Sequence, residues 1–200
     1  QAINHVFQVG CGLDSQIIGD FEIIGQLKKS FYNSKKYDIV NGFSERLVNS
    51  VIQASKRIKT ETKLSSGATS VSFASVHYIL ENVKDVKNKS ILLFGTGKIG
   101  RNTCENLIKH TQNDHITLIN RSEESAKKVA GKFNLVVKSF KDLNQEIIKS
   151  DIVIVATGAD DITVDKSIIA NNKPLLILDL SIPSNVDSHL KNLDNVTLVN

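Results

Sequence analysis

Apolar positions change rhythm about a third of the way along this chain. Early on they recur at helical spacing. Ile23, Ile24, Leu27 and Phe31 share one face, residues 37–42 make a polar break, and a long stripe follows through Phe43, Leu47, Val48, Val51, Ile52, Ser55 and Ile58. A polar stretch of small residues over 60–67 contains Ser65 and Ser66, both suited to cap the next helix. That helix carries Val71, Tyr78, Ile79 and Val83 on one side and is expected to lead to Lys89. A domain boundary is expected near Lys63, dividing 1–62 from 63–200. From Ser90 onward, short β-branched apolar runs at 91–94, 116–119, 135–137, 152–156, 175–180 and 196–199 alternate with helical patterns. Strands this apolar are buried on both faces, which predicts a parallel sheet covered by helices on either side. The fold class is therefore α/β, a doubly wound Rossmann-type sheet preceded by a helical segment.

The first apolar run passes straight into Gly95-Thr96-Gly97-Lys98-Ile99-Gly100, and helical spacing resumes through Ile99, Thr103 and Leu107. Strand, glycine loop and helix in that order make a dinucleotide fingerprint. Gly95 serves the tight turn, Gly97 lets a pyrophosphate reach the backbone, and Gly100 lets helix and strand pack closely, with helix N-terminal N–H groups facing the phosphates. The second run ends in Asn120-Arg121-Ser122, where a site selecting NAD would carry an acidic residue for the ribose 2′-hydroxyl. A guanidinium there suits a 2′-phosphate instead, so NADPH is the expected cofactor. Ser122 is also placed to cap the helix that starts at Glu123. Thr157-Gly158-Ala159 closes the fourth run, at the sheet edge where ligands of such folds sit, and Asp179 and Pro183 read as residues that close the fold.

Composition narrows this little. Among 200 residues, 40% are hydrophobic and the formal net charge is +4, spread along the chain and therefore compatible with a nucleic-acid partner without requiring one. No apolar run reaches the roughly 20 residues of a membrane-spanning helix. Cys11 and Cys104 form no disulfide framework and no zinc spacing, so no metal is expected and a reduced, cytoplasmic setting fits. The chain begins at Gln1 and contains no Met, which suggests a piece of a longer protein.

The N-terminal third carries a more specific signal. His5-Val6-Phe7-Gln8-Val9, Gly12-Leu13-Asp14-Ser15 and Gly19-Asp20-Phe21-Glu22-Ile23-Ile24-Gly25-Gln26 resemble the signature of the glutamyl-tRNA reductases. The likeness continues through residues 54–62, Gly67-Ala68-Thr69-Ser70-Val71-Ser72, the glycine loop, Asn120-Arg121-Ser122, Thr157-Gly158-Ala159 and Asp179-Leu180-Ser181-Ile182-Pro183. The resemblance implies that a cysteine thiolate attacks the ester of glutamyl-tRNA(Glu). NADPH then reduces the resulting thioester to glutamate-1-semialdehyde, the first step of five-carbon tetrapyrrole (porphyrin, haem) synthesis. It places His5 at the reacting carbonyl, and Ser15, Asp20, Phe21, Glu22 and Gln26 around the glutamyl group; 1–62 would then be the end of the catalytic domain. Phe21-Glu22 stands where the family has Pro-Gln, and Asp20 where it has Glu; Asp20 is equally an N-cap.

The family's nucleophile lies in a Thr-Cys-Asn-Arg motif that does not occur here. Cys11 takes a position where the family has Ser or Ala, and Cys104 falls inside a helix, so both read as structural. This chain alone is expected to bind NADPH and not to reduce glutamyl-tRNA. The resemblance further implies a glutamate-1-semialdehyde aminomutase partner and a homodimer formed through a C-terminal domain. Two other readings stand beside it. One is a shikimate dehydrogenase-like NADP enzyme, whose paired Lys and Asp in an N-terminal α/β domain are not offered by the helical first 60 residues. The other is a non-catalytic NADP- or RNA-binding module, for which Phe31-Tyr32 beside Lys28 and Lys29 is the one local aromatic cluster.

Overall fold

The computed structural model describes residues 1–62, 70–169 and 173–200. It forms two compact units, Gln1–Ala74 and Ser75–Asn200. The boundary expected near Lys63, the caps expected at Ser65 and Ser66, and the motif residues Gly67, Ala68 and Thr69 lie outside the described residues.

The first unit contains α1 (Ala2–Gly10), α2 (Phe21–Lys36) and α3 (Gly42–Glu61). Both longer helices start where a side chain can serve the first turn. Asp20 accepts from the Glu22 N–H at 2.8 Å and Asn41 from the Ser44 N–H at 2.9 Å. Helices α1 and α3 meet at Gly10, where a Cβ would stand 2.2 Å from Val51 Cγ1. Around that contact the buried set is small, chiefly Gly10, Cys11, Val51 and Ser55, and α2 buries no residue fully.

The second unit is built on six strands: β1 (Ile91–Phe94), β2 (Ile116–Ile119), β3 (Val136–Lys138), β4 (Ile152–Val155), β5 (Leu175–Asp179) and β6 (Val196–Val199). All neighbours are parallel, and the order is β3-β2-β1-β4-β5-β6. Chain direction across the sheet reverses between β1 and β4, and ligands of such sheets bind at that switch point. Successive residues of β1 feed opposite cores. Ile91 and Leu93 pack on the face covered by Val76 and Ile79 of α4 (Val71–Asn82), by α5 (Lys98–Thr111) and by α6 (Glu123–Ala130); Leu92 and Phe94 pack on the face of α7 (Leu143–Lys149). Double-sided burial is why these strands read as continuous apolar runs. Only β3, at the edge, is mostly exposed.

Several element ends differ from the expectation: β3 ends one residue late, and β4 and β5 stop one residue short, at Val155 and Asp179. Strand β3 starts one residue late because the Leu135 N–H is still closing the turn after α6, on Ala130 O at 3.2 Å. Helix α4 stops at Asn82 rather than running to Lys89. Asp85 takes a left-handed backbone (φ 55°), and its carboxylate accepts from Asn88 Nδ2, fixing a short 3-10 turn at Val86–Asn88. No helix among the described residues is long and apolar enough to cross a membrane.

Asp151 ties the amino ends of the central strands together. It accepts from the Ser90 N–H at 2.8 Å and meets Lys173 Nζ at 3.0 Å. Burial pushes its carboxyl up, but the Ser90 N–H, Lys173 and Lys89 together outweigh burial and hold it below the ordinary carboxylate value. A depressed native value stabilises the fold fully above the ordinary carboxylate range, and that stability is lost as pH falls through the depressed value. Urea melts from neutral pH downward should therefore show an acid-side loss that is smaller in Asp151→Asn. Parallel pH profiles for the two proteins would count against the tie.

Candidate functional site

A cleft of about 470 Å³ opens at the carboxyl ends of β1, β2 and β4, within the range of roughly 300–1,000 Å³ usual for small-molecule sites. Its floor is the glycine loop, and two of the three glycines are required by packing. Gly95 has φ +105°, and a Cβ on it would lie 2.3 Å from Ala156 O. A Cβ on Gly100 would lie 2.0 Å from Gly95 O. Any side chain at either position would push α5 away from the strands. Gly97 is the opposite case, since a Cβ there meets nothing within 4 Å. It borders the cleft as the N-cap of α5, whose positive dipole end suits an anion.

Two asparagines hold the flanking loops. Asn120 Oδ1 accepts from the Thr96 N–H at 3.2 Å while its Nδ2 donates to Ser122 O at 3.0 Å, so the loops after β1 and β2 are joined. On the other side Asn185, fully buried, donates to Ala159 O at 2.8 Å and Asp161 O at 3.0 Å and accepts from Thr157 Oγ1. Asn185 is held in turn by the buried Asp179 carboxylate, which accepts from the Asn185 and Val186 N–H groups at 2.8 and 3.0 Å and from Ser181 N and Ser184 Oγ. This is the physical content of the fold-closing role expected for Asp179.

Of the positions expected to hold the cofactor, Gly95, Thr96, Gly97, Asn120, Arg121, Ser122, Thr157 and Gly158 converge on the cleft. Lys98, Ile99 and Gly100 do not line it; they follow the loop into α5, and Gly100 acts from behind through packing. Thr96 is 6% exposed, and its Oγ1 is the one buried side-chain polar atom without a hydrogen-bond partner among the described residues. Unpaired buried hydroxyls are rare in folded proteins and mark a place for a ligand or water. Arg121 is exposed at the cleft. The carboxylates that follow it are already engaged, Glu123 by Lys127 at 2.7 Å and Glu124 by Lys128 at 2.8 Å. Ser122 caps α6 by accepting from Ser125 N at 3.4 Å, and Ser125, one turn along, also lines the cleft.

Sequence reasoning passed over Ser125, Phe140, Thr163 and Asn185. Helical spacing from Ser122 was a usable signal for Ser125; Asn185 gave none, because its partners lie 24 to 28 residues away.

The substrate positions expected in the first unit are placed as follows. His5 lies exposed on α1, and its Nδ1 is 3.5 Å from Asp14 Oδ2. Ser15 Oγ accepts from the Ile17 N–H at 3.2 Å, and Asp20 serves as the α2 cap already described. Phe21, Glu22 and Gln26 occupy the first turns of α2, with Lys59 Nζ 4.3 Å from the Phe21 ring centre. Burial pushes the Cys11 thiol up; burial, then Glu105, pushes the Cys104 thiol up to about 12. Neither is a ready thiolate.

The profile of the family described as glutamyl-tRNAGlu reductase, N-terminal domain, matches residues 1–62, and that of shikimate / quinate 5-dehydrogenase matches residues 77–200. A glutamyl-tRNA reductase of Flavobacterium psychrophilum is 65% identical over all of this chain and 48% of its own length. The solved glutamyl-tRNA reductase of Methanopyrus kandleri matches 98% of this chain and 51% of its own at 25% identity, with a TM-score of 0.60. The nucleotide-binding domain of the Thermoplasma volcanium enzyme, 23% identical over 64% of this chain and 86% of its own with a TM-score of 0.50, shows the shared fold. The chain spans about half the length of the curated relatives it matches.

Asn185→Ala would strand the carbonyls of Ala159 and Asp161. We expect a loss of about 1–3 kcal/mol in urea unfolding, with faster amide exchange over 157–161. Unchanged exchange there would show that Asn185 does not hold the loop.

Proposed function

The chain belongs to the glutamyl-tRNA reductase family, with a dinucleotide unit of the shikimate / quinate 5-dehydrogenase type, and on that premise we propose that its cleft binds NADPH. The supporting observation is the coincidence, at one sheet edge, of a three-glycine cradle with a Thr96 hydroxyl and an Arg121 guanidinium that, among the described residues, have no hydrogen-bond partner and no paired carboxylate respectively. These residues fit a dinucleotide phosphate. Gly97 and the start of α5 would receive the diphosphate. Arg121, Ser122 and Ser125 would hold the adenosine 2′-phosphate, and Thr157 and Gly158 would border the nicotinamide ribose. When bound, NADPH supplies a hydride.

We read the complete enzyme as reducing glutamyl-tRNA(Glu) to glutamate-1-semialdehyde through a cysteinyl thioester. Residues 1–62 then form the glutamyl-binding end of its catalytic domain and 63–200 the NADP(H) domain. In that reading His5 orients the reacting carbonyl, with Asp14 beside it, and Ser15, Asp20, Phe21, Glu22 and Gln26 surround the glutamyl group. The side chains of Ser15 and Asp20 also serve backbone N–H groups, so each would have to share its oxygen. A cytoplasmic site, a homodimer built through a C-terminal domain, and transfer of the aldehyde to an aminomutase belong to the same proposal. The match of 77–200 to the shikimate / quinate 5-dehydrogenases favours a second reading as an NADP-dependent hydroxy-acid enzyme; the reductase match of 1–62 weighs against it.

Calorimetric titration tests the cofactor assignment. NADPH should bind tighter than NADH, and Arg121→Ala should weaken NADPH about tenfold, as expected for loss of a charge-assisted contact of roughly 1.5 kcal/mol, while leaving NADH unchanged. Equal affinities in the unaltered chain would discard it. Supplied with glutamyl-tRNA and NADPH, this chain alone should form no semialdehyde, because both its thiols are buried. Measurable product would mean that one of them reacts.

A further inference from the structure

We propose that Phe140 is the wall on which the adenine of the bound dinucleotide stacks, an inference that deepens the NADPH reading and rests on it. Phe140 opens the 3-10 turn Phe140–Asp142 directly after β3, at the carboxyl edge of the sheet. It is a large apolar ring among polar neighbours (Lys138, Ser139, Lys141 and Asp142), yet it remains 45% exposed and lines the cleft. It is not loose. Its ring leans on that of Phe94, with centroids 5.8 Å apart and planes at 34°, and Phe94 is only 3% exposed. A ring braced by a buried ring while still bordering a cleft has lost its side-chain freedom in advance, which is what a stacking platform needs.

Position along the sheet identifies the base. The strand order places the loops after β2 and β3 on one side of the switch point and the loop after β4 on the other. Arg121, placed for the adenosine phosphate, follows β2, so Phe140 after β3 stands on the adenosine side. The opposite end offers Thr157, Gly158, Ala159 and Thr163, none of them aromatic. That asymmetry suits the chemistry. A nicotinamide must leave one face open to the group it reduces, whereas adenine reacts with nothing and can be covered.

The test uses the full chain and 2′,5′-ADP, which carries the adenosine half alone. Stacking of a base on an aromatic side chain contributes about 1–3 kcal/mol by alanine substitution. Phe140→Ala should accordingly weaken 2′,5′-ADP and NADPH alike by about tenfold, and Phe140→Tyr should restore binding. Phe140→Leu, which keeps apolar bulk over Phe94, should bind nearly as weakly as the alanine variant while melting like the unaltered protein. Proton NMR of the complex should show cross-relaxation between adenine H2 or H8 and a phenylalanine ring that disappears in Phe140→Leu. Unchanged affinity in the alanine variant, tighter binding through removal of an obstruction, or absence of the cross-peak in a saturated complex overturns this inference and leaves the NADPH assignment standing. Failure of the unaltered chain to bind either ligand removes both.

Discussion

Everything at the cleft depends on two backbones approaching closer than any side chain would permit. The carbonyl of Ala156, at the end of β4, and the loop after β1 share a space in which a Gly95 Cβ would be 2.3 Å from the carbonyl oxygen. The carbonyl of Gly95 then occupies the space a Gly100 Cβ would need. Through this double contact α5 starts hard against the sheet, and its dipole acts on the cleft at short range, where helix-end effects are largest. The openness around Gly97 is a consequence: with the backbone fixed on either side, the middle glycine is left with room above it.

Polar stitching turns that contact into a site. Asn120 joins the loops after β1 and β2, and Asn185, fixed by Asp179, gathers the loop after β4. Both amides use donor and acceptor together, so neither is left with an unpaired buried group. Asn120, expected to touch cofactor, lines the cleft and also positions its neighbours, since its side chain bonds protein groups on both sides. Thr96 differs: its N–H is taken by Asn120, and its hydroxyl has no partner among the described residues.

The sheet was legible because burial on two faces leaves a trace, a short run made mostly of β-branched or leucine residues, as in Ile152 to Val155. The glycine loop was legible because two of its glycines, Gly95 and Gly100, have a steric reason that holds whatever the surrounding sequence. Local competition is harder to read. The end of α4 was set by Asp85 and Asn88 bonding each other, and the start of β3 by a turn still borrowing Leu135. Long-range partnerships leave no local trace at all. Nothing around Asn185 announces that it will bond Ala159 and Asp161, and nothing in Lys-Ser-Phe-Lys-Asp distinguishes a ring that lines a cleft from one in the core. The first unit shows a related limit. Asp20 and Ser15 are found bonding backbone N–H groups, so motif position and local geometry assign the same atoms to different work.

Charge placement around Arg121 favours an anion at this end of the cleft. Glu123 and Glu124 follow the guanidinium immediately and, left alone, would oppose an incoming dianion. Instead Lys127 and Lys128 lie one turn further along α6 and pair with them at i, i+4, the favourable order for such pairs. Carboxylates in a first helical turn are also stabilised by the dipole, so these two sit where the helix itself favours them. Pairs this exposed contribute little to stability. Their consequence is local: they cancel two negative charges beside the site and leave the Arg121 charge uncompensated. With Ser122 and Ser125 hydroxyls on the same turn, that arrangement favours an anion with several acceptor oxygens over a neutral ribose hydroxyl.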